Sequence, residues 1–139
     1  MNYYKLSDME IGLEEFFEAT IDEYKMDKFL EISNDINPLH LDRDYAKEKG
    51  FSNRVVYGLL TSSFYSTLVG VYLPGKYCIL QGIDIQFSKP VYIDDTLKIS
   101  GKVSYINEAY KRIEIKAIIT NQDNKKVSKA TIKVGLIDE

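Results

Sequence analysis

Two hydrophobic periods divide the chain. In the C-terminal half apolar and polar residues alternate. Ile83, Ile85 and Phe87 alternate with Asp84, Gln86 and Ser88, and Leu97, Ile99, Gly101, Val103 and Tyr105 with Lys98, Ser100, Lys102 and Ser104. Ile113, Ile115, Ala117 and Ile119 alternate with Glu114, Lys116 and Ile118, and Ala130, Ile132, Val134 and Leu136 with Thr131, Lys133 and Gly135. A period of two predicts four strands, each with one apolar face. Asn121-Gln122-Asp123-Asn124 and Asn107-Glu108-Ala109-Tyr110 read as hairpin turns, whereas Lys89-Pro90 to Asp94-Asp95 makes a longer bend. The four strands are therefore expected to form an antiparallel meander.

The N-terminal half is mixed. Met1 to Gly12 reads as an ordered, irregular lead-in, and Glu14 to Ile21 as one further strand. Asp22 can cap a helix to about Ile32, with Met26, Phe29, Leu30 and Ile32 on its apolar face. Asp42 or Asp44 can cap a short helix through Tyr45–Lys49, stopped by Gly50. The longest helical pattern runs from Val56 to Leu73, before Pro74-Gly75. Leu59, Leu60, Phe64, Leu68, Val69 and Tyr72 recur at helical spacing, and the remaining positions are mostly small or hydroxylated. With no charged face, this helix is expected to be buried on most sides.

An antiparallel sheet with one apolar face needs a cover. The uncharged helix is the only segment long and apolar enough. The expected class is α+β, a curved antiparallel sheet wrapped round a central helix, which is the hot-dog architecture, in a single domain over 1–139. A lone sheet of this kind leaves an open edge, so a homodimer is expected.

Composition narrows the function classes. The chain has 139 residues and a net charge of −3, which points away from nucleic acid and from anionic membranes. No apolar run reaches bilayer length. Met1-Asn2-Tyr3-Tyr4-Lys5 carries no apolar signal region, so a cytoplasmic protein is expected. One cysteine and one histidine give no disulfide and no clustered metal ligands; no metal and no cofactor are expected. Cys78, within Tyr77-Cys78-Ile79-Leu80, reads as a small core residue.

The chemistry concentrates in Asn34-Asp35-Ile36-Asn37-Pro38-Leu39-His40. A carboxylate and an imidazole are a complementary pair for moving protons near neutral pH. Pro38 fixes its own φ and biases Asn37 towards extended backbone, so a stiff, non-helical turn is expected. Asn37 can bond back to the local backbone and hold that turn.

This stretch, with Leu41-Asp42 after it, resembles the hydratase motif of MaoC-like (R)-specific enoyl-CoA hydratases and dehydratases. Three later segments fall in that family's order: Phe51 to Leu60, Leu73-Pro74-Gly75, and Phe87 to Leu97. The resemblance covers roughly Phe17 to the C-terminus. It implies water addition to, or removal from, a 2-enoyl or (R)-3-hydroxyacyl thioester of CoA or acyl carrier protein, the CoA or phosphopantetheine arm being part of the substrate. Asp35 and His40 match the catalytic dyad, with His40 as base towards the oxygen and Asp35 managing the α-carbon proton, an assignment the sequence leaves open. Gly58 matches the residue whose backbone N–H holds the thioester oxygen, a role that suits a helix start with free N–H groups. Asn37, Tyr57 and Ser66 are the substrate-binding candidates. The family commonly has His immediately before that glycine, where this chain has Tyr57.

Lys47, Lys49 and Arg54 could meet thioester phosphates or an acidic carrier protein. The same fold also supports thioester hydrolysis, or an acyl-binding subunit without catalysis. The Asp35–His40 spacing favours hydration.

Overall fold

A computed structural model describes residues 1–138. The elements are β1 (Glu14–Thr20), α1 (Glu23–Ser33), α2 (Pro38–Leu41), α3 (Arg43–Glu48), α4 (Gly58–Thr67) with a π-helical turn over Leu68–Tyr72, β2 (Cys78–Phe87), β3 (Thr96–Asn107), β4 (Arg112–Thr120) and β5 (Lys126–Leu136). The five strands form one curved antiparallel sheet in the order β1-β3-β4-β5-β2. Its inner face carries Leu97, Ile99, Val103, Ile113, Ile115, Ile119, Ile132 and Val134, all 1% exposed or less, and α4 with its π turn packs across them. This is the hot-dog fold.

The alternation read from the sequence produces this face, with two corrections. The meander comprises β3, β4 and β5; β2 does not join β3 but pairs with β5 at the far edge. The connection 88–95 runs past the start of α4, where Val56 N donates to Val91 O at 2.8 Å, and this carries the chain from one edge to the other half of the sheet. The second correction concerns Tyr105. A bulge between Val103 and Tyr105 turns Tyr105 outward and places Ile106 against the core. One extra residue in a period-two pattern moves everything after it to the other face.

The central helix also differs from its pattern. Val56 and Tyr57 precede it, and the α-helical geometry ends at Thr67. The face against the sheet is Thr61, Ser62, Tyr65, Leu68 and Val69, whereas Leu59 is 67% exposed. Gly101 on β3 is what lets the π turn sit down: a Cβ there would stand 2.9 Å from both Leu68 Cδ2 and Ile115 Cγ2. In α1, Asp22 caps as expected by accepting from Lys25 N at 2.9 Å, and Met26 is buried, but Ile32 is 82% exposed. Asn34 follows in the left-handed region, φ 55°, which rotates the next turn off the helix axis.

Candidate active site

The Asp35–His40 segment is partly helical. Pro38 lacks an N–H and has helical φ, which suits the first position of a helix, and Asn37 caps it by accepting from Leu39 N at 2.9 Å. His40 therefore sits in the one-turn helix α2 rather than on a bare turn, and the Asn37 side chain is committed to the backbone. Asp42 caps α3 by accepting from Asp44 N and Tyr45 N. The Asp35 carboxylate, on the exposed side of the segment, accepts from Asn37 N at 3.1 Å through Oδ1.

The segment 54–56 stitches this loop to the rest. Val55 N donates to Leu39 O at 3.1 Å and Arg54 Nε to His40 O at 2.8 Å, while Arg54 also pairs with Glu23 of α1 at 3.1 Å. On its other side, Val55 bridges to Tyr92. His40 Nδ1 lies 2.7 Å from Val55 O. A carbonyl oxygen only accepts, so Nδ1 carries the proton, and in the neutral ring Nε2 is the bare nitrogen.

Tyr57 sits behind both members of the pair. It is 2% exposed, its hydroxyl donates to Asp35 O at 2.9 Å, and its ring lies 4.2 Å from that of His40 and 4.7 Å from that of Phe29. Burial raises the Tyr57 pKa above its ordinary value, and the Asp35 charge adds to that. The phenol therefore remains a donor at neutral pH.

A cavity of about 320 Å³ opens between α2, the start of α4, and the strand ends beyond Phe87 and around Val127. His40, Gly58, Thr61, Phe87, Lys89 and Ser128 are among its lining residues. The first N–H groups of α4 have no intrahelical acceptor, and Gly58 exposes them to this space. A Cβ on Gly58 would stand 3.0 Å from Phe87 Cε1, so a side chain there would close the approach to the amide. The structure thus brings His40 and Gly58 to one cavity. Asp35, Asn37, Tyr57 and Ser66 do not line it: Asp35 and Ser66 are exposed, Asn37 is a cap and Tyr57 is buried behind His40. Arg54 is occupied by His40 O and Glu23, Lys47 and Lys49 do not border the cavity, and the cation at its rim is Lys89.

Sequence reading missed Thr61 and Ser128. Thr61 is one turn on from Gly58 and on the same face. Ser128 occupies an inward-facing position two residues before Ala130, in the period already visible. Among the described residues no group of three or more His, Cys, Asp or Glu side chains could hold a metal ion.

A family model described as a MaoC-like domain matches residues 10–128. An (R)-specific enoyl-CoA hydratase of Aeromonas caviae is 38% identical over 80 residues, which are 58% of this chain and 60% of that protein. A 3-hydroxybutyryl-CoA dehydratase of Methylorubrum extorquens is 32% identical over 97 residues, 70% of this chain and 62% of the relative. The matched stretches thus span about 60% of these relatives' lengths. Among solved structures, an R-hydratase from Pseudomonas aeruginosa superposes with a TM-score of 0.90 at 27% identity, covering 97% of this chain and 86% of the other.

Proposed function

The chain belongs to the MaoC-like domain family, and from that premise we propose that it is a hydro-lyase that adds water to, or removes it from, a 2-enoyl / (R)-3-hydroxyacyl thioester. The observation that carries this reading is the shared cavity of His40 and Gly58, with Nδ1 of His40 tied to Val55 O. That tie leaves Nε2 as the atom able to take a proton from water. In the hydration direction the water oxygen bonds to C3 of the enoyl group as its proton passes to Nε2. The electron pair moves to the thioester oxygen, which accepts from the N–H of Gly58 at the positive end of α4. C2 then takes the proton held on His40 Nε2, which returns the ring to its neutral form, while Asp35, outside the cavity, accepts from Asn37 N and holds the turn that carries His40. An oxyanion donor is typically worth ~10²–10³ in rate and a positioned acid or base ~10²–10⁴.

The substrate's CoA or carrier-protein arm would leave past Lys89, and no separate cofactor takes part. A second copy of the chain completes the sheet along β2. We place the protein in the cytoplasm, which its single thiol suits.

The test is hydration of crotonyl-CoA, followed by loss of the enoyl absorbance alongside a free-thiol assay. Absorbance loss without thiol is the expected result; thiol release would show hydrolysis instead. His40→Ala should lose at least ~10²-fold in kcat with unchanged circular dichroism, and Asp35→Asn, which keeps an acceptor for Asn37 N, far less. Near-wild-type turnover in His40→Ala, or an equal loss in Asp35→Asn, removes the mechanism.

A further inference from the structure

The inner end of the cavity holds a hydroxyl with nothing to bond. Thr61 is 2% exposed, borders the cavity, and its Oγ1 has no hydrogen-bond partner among the described residues. A threonine within a helix ordinarily bonds back to the carbonyl three or four residues earlier. Here the carbonyl four residues back, Tyr57 O, already accepts from Leu60 N and Thr61 N, each at 3.1 Å. Ser62, the next hydroxyl, is also buried without a partner, but it does not border the cavity.

A second hydroxyl faces the same space. Ser128 is 1% exposed, lines the cavity, and accepts from Tyr65 OH at 2.8 Å. Burial pushes the Tyr65 pKa up to about 12, so the phenol keeps its proton, and where it donates to Ser128 Oγ the Ser128 proton is free for another acceptor. The surrounding wall is apolar: Val55, Val56, Val91 and Val127. A valine in place of Thr61 would continue that wall at equal volume and without a desolvated hydroxyl.

We propose that this cavity selects acyl groups bearing a hydroxyl or carbonyl oxygen several bonds beyond the thioester, with Thr61 as the specificity-determining residue and Ser128 as its companion. The inference rests on the hydro-lyase reading and deepens it. Thr61 is three residues along α4 from Gly58, ~4.5 Å of axial rise, so the oxygen belongs near the fifth carbon of the chain. At about 320 Å³ the cavity lies at the low end of the ~300–1,000 Å³ common for ligand sites, which suits a short acyl group. An alkyl chain entering it leaves the Thr61 hydroxyl unpaired, and sites built to bond a substrate oxygen reject the analogue lacking it.

The experiment compares 2-hexenoyl-CoA with 5-hydroxy-2-hexenoyl-CoA on the full chain, with crotonyl-CoA as reference. Wild type should favour the hydroxylated thioester by at least ~10-fold in kcat/KM. Thr61→Val should bring the ratio near one, Thr61→Ser should restore it, and Thr61→Val should melt no lower than wild type because it removes an unpaired hydroxyl. A preference that persists in Thr61→Val, or a melting point well below wild type, overturns the assignment. Hydration of crotonyl-CoA without preference between the longer probes overturns this inference alone. No hydration of any of the three removes the hydro-lyase reading and this inference with it.

Discussion

Tyr57 stands where the family commonly has histidine, and its place in this chain follows from two contacts. Its hydroxyl holds the backbone of Asp35 and its ring packs on His40. In the proposed mechanism such a residue acts on His40 and on the Asp35 backbone by position, not by touching substrate. Tyr57→Phe keeps the ring and deletes one hydrogen bond, typically worth ~1 kcal/mol, so kcat should fall roughly five-fold with KM little changed. Steady-state kinetics at unchanged circular dichroism would show it; an unaltered kcat would mean the Asp35 backbone needs no such tether. His40 and Gly58 were readable as candidates because their residue types have few other uses in such a pattern. The cap role of Asn37 was half visible, since Asn before Pro readily bonds the backbone of its own turn, here by accepting from Leu39 N. The commitment of Arg54 to His40 O was not, because it depends on a partner 14 residues away.

At the scale of elements, β2 leaves part of its apolar face open, although Cys78 and Ile85 pack on the core. Leu80, Ile83 and Phe87 pair with inward-facing residues of β5, yet they are 45%, 40% and 55% exposed. Leu59 of α4 adds a further exposed apolar side chain. An uncovered apolar face beside a free sheet edge is what a second copy would bury. Sedimentation equilibrium should show a dimer for wild type, and Ile83→Lys should yield a folded monomer. A monomeric wild type at micromolar concentration would remove the proposed assembly. The strands themselves were legible, since period two survives over each of them. Their order was not, because alternation says which side chains face inward and nothing about which edge a strand joins.

Across the whole molecule, one buried and one half-buried acid set how the fold answers to alkali. Burial raises the Cys78 thiol from its ordinary 9.0 to about 11, and Tyr65 from 10.0 to about 12. Both are raised above their unfolded values, so the stability they contribute is complete below pH 9 and is lost as pH rises from 9 towards 12. Thermal melts should be flat in these groups' contribution up to pH 9 and then fall, and Cys78 should resist alkylation at pH 8 until the protein is unfolded. Rapid alkylation of the native protein at that pH would contradict the raised thiol pKa. By itself the sequence determined the α+β class, the sheet over a central uncharged helix, the Asp35–His40 stretch and the glycine at the helix start, because each is a local pattern of period, cap or residue type. Only the tertiary structure decided that β2 crosses to the far edge, that a bulge turns Tyr105 outward, that the helix face on the sheet is Thr61 and Tyr65 and not Leu59, and that His40 and Gly58 share a cavity which Asp35 does not line. Those outcomes depend on contacts between residues distant along the chain, and local periodicity carries no information about which distant surfaces meet.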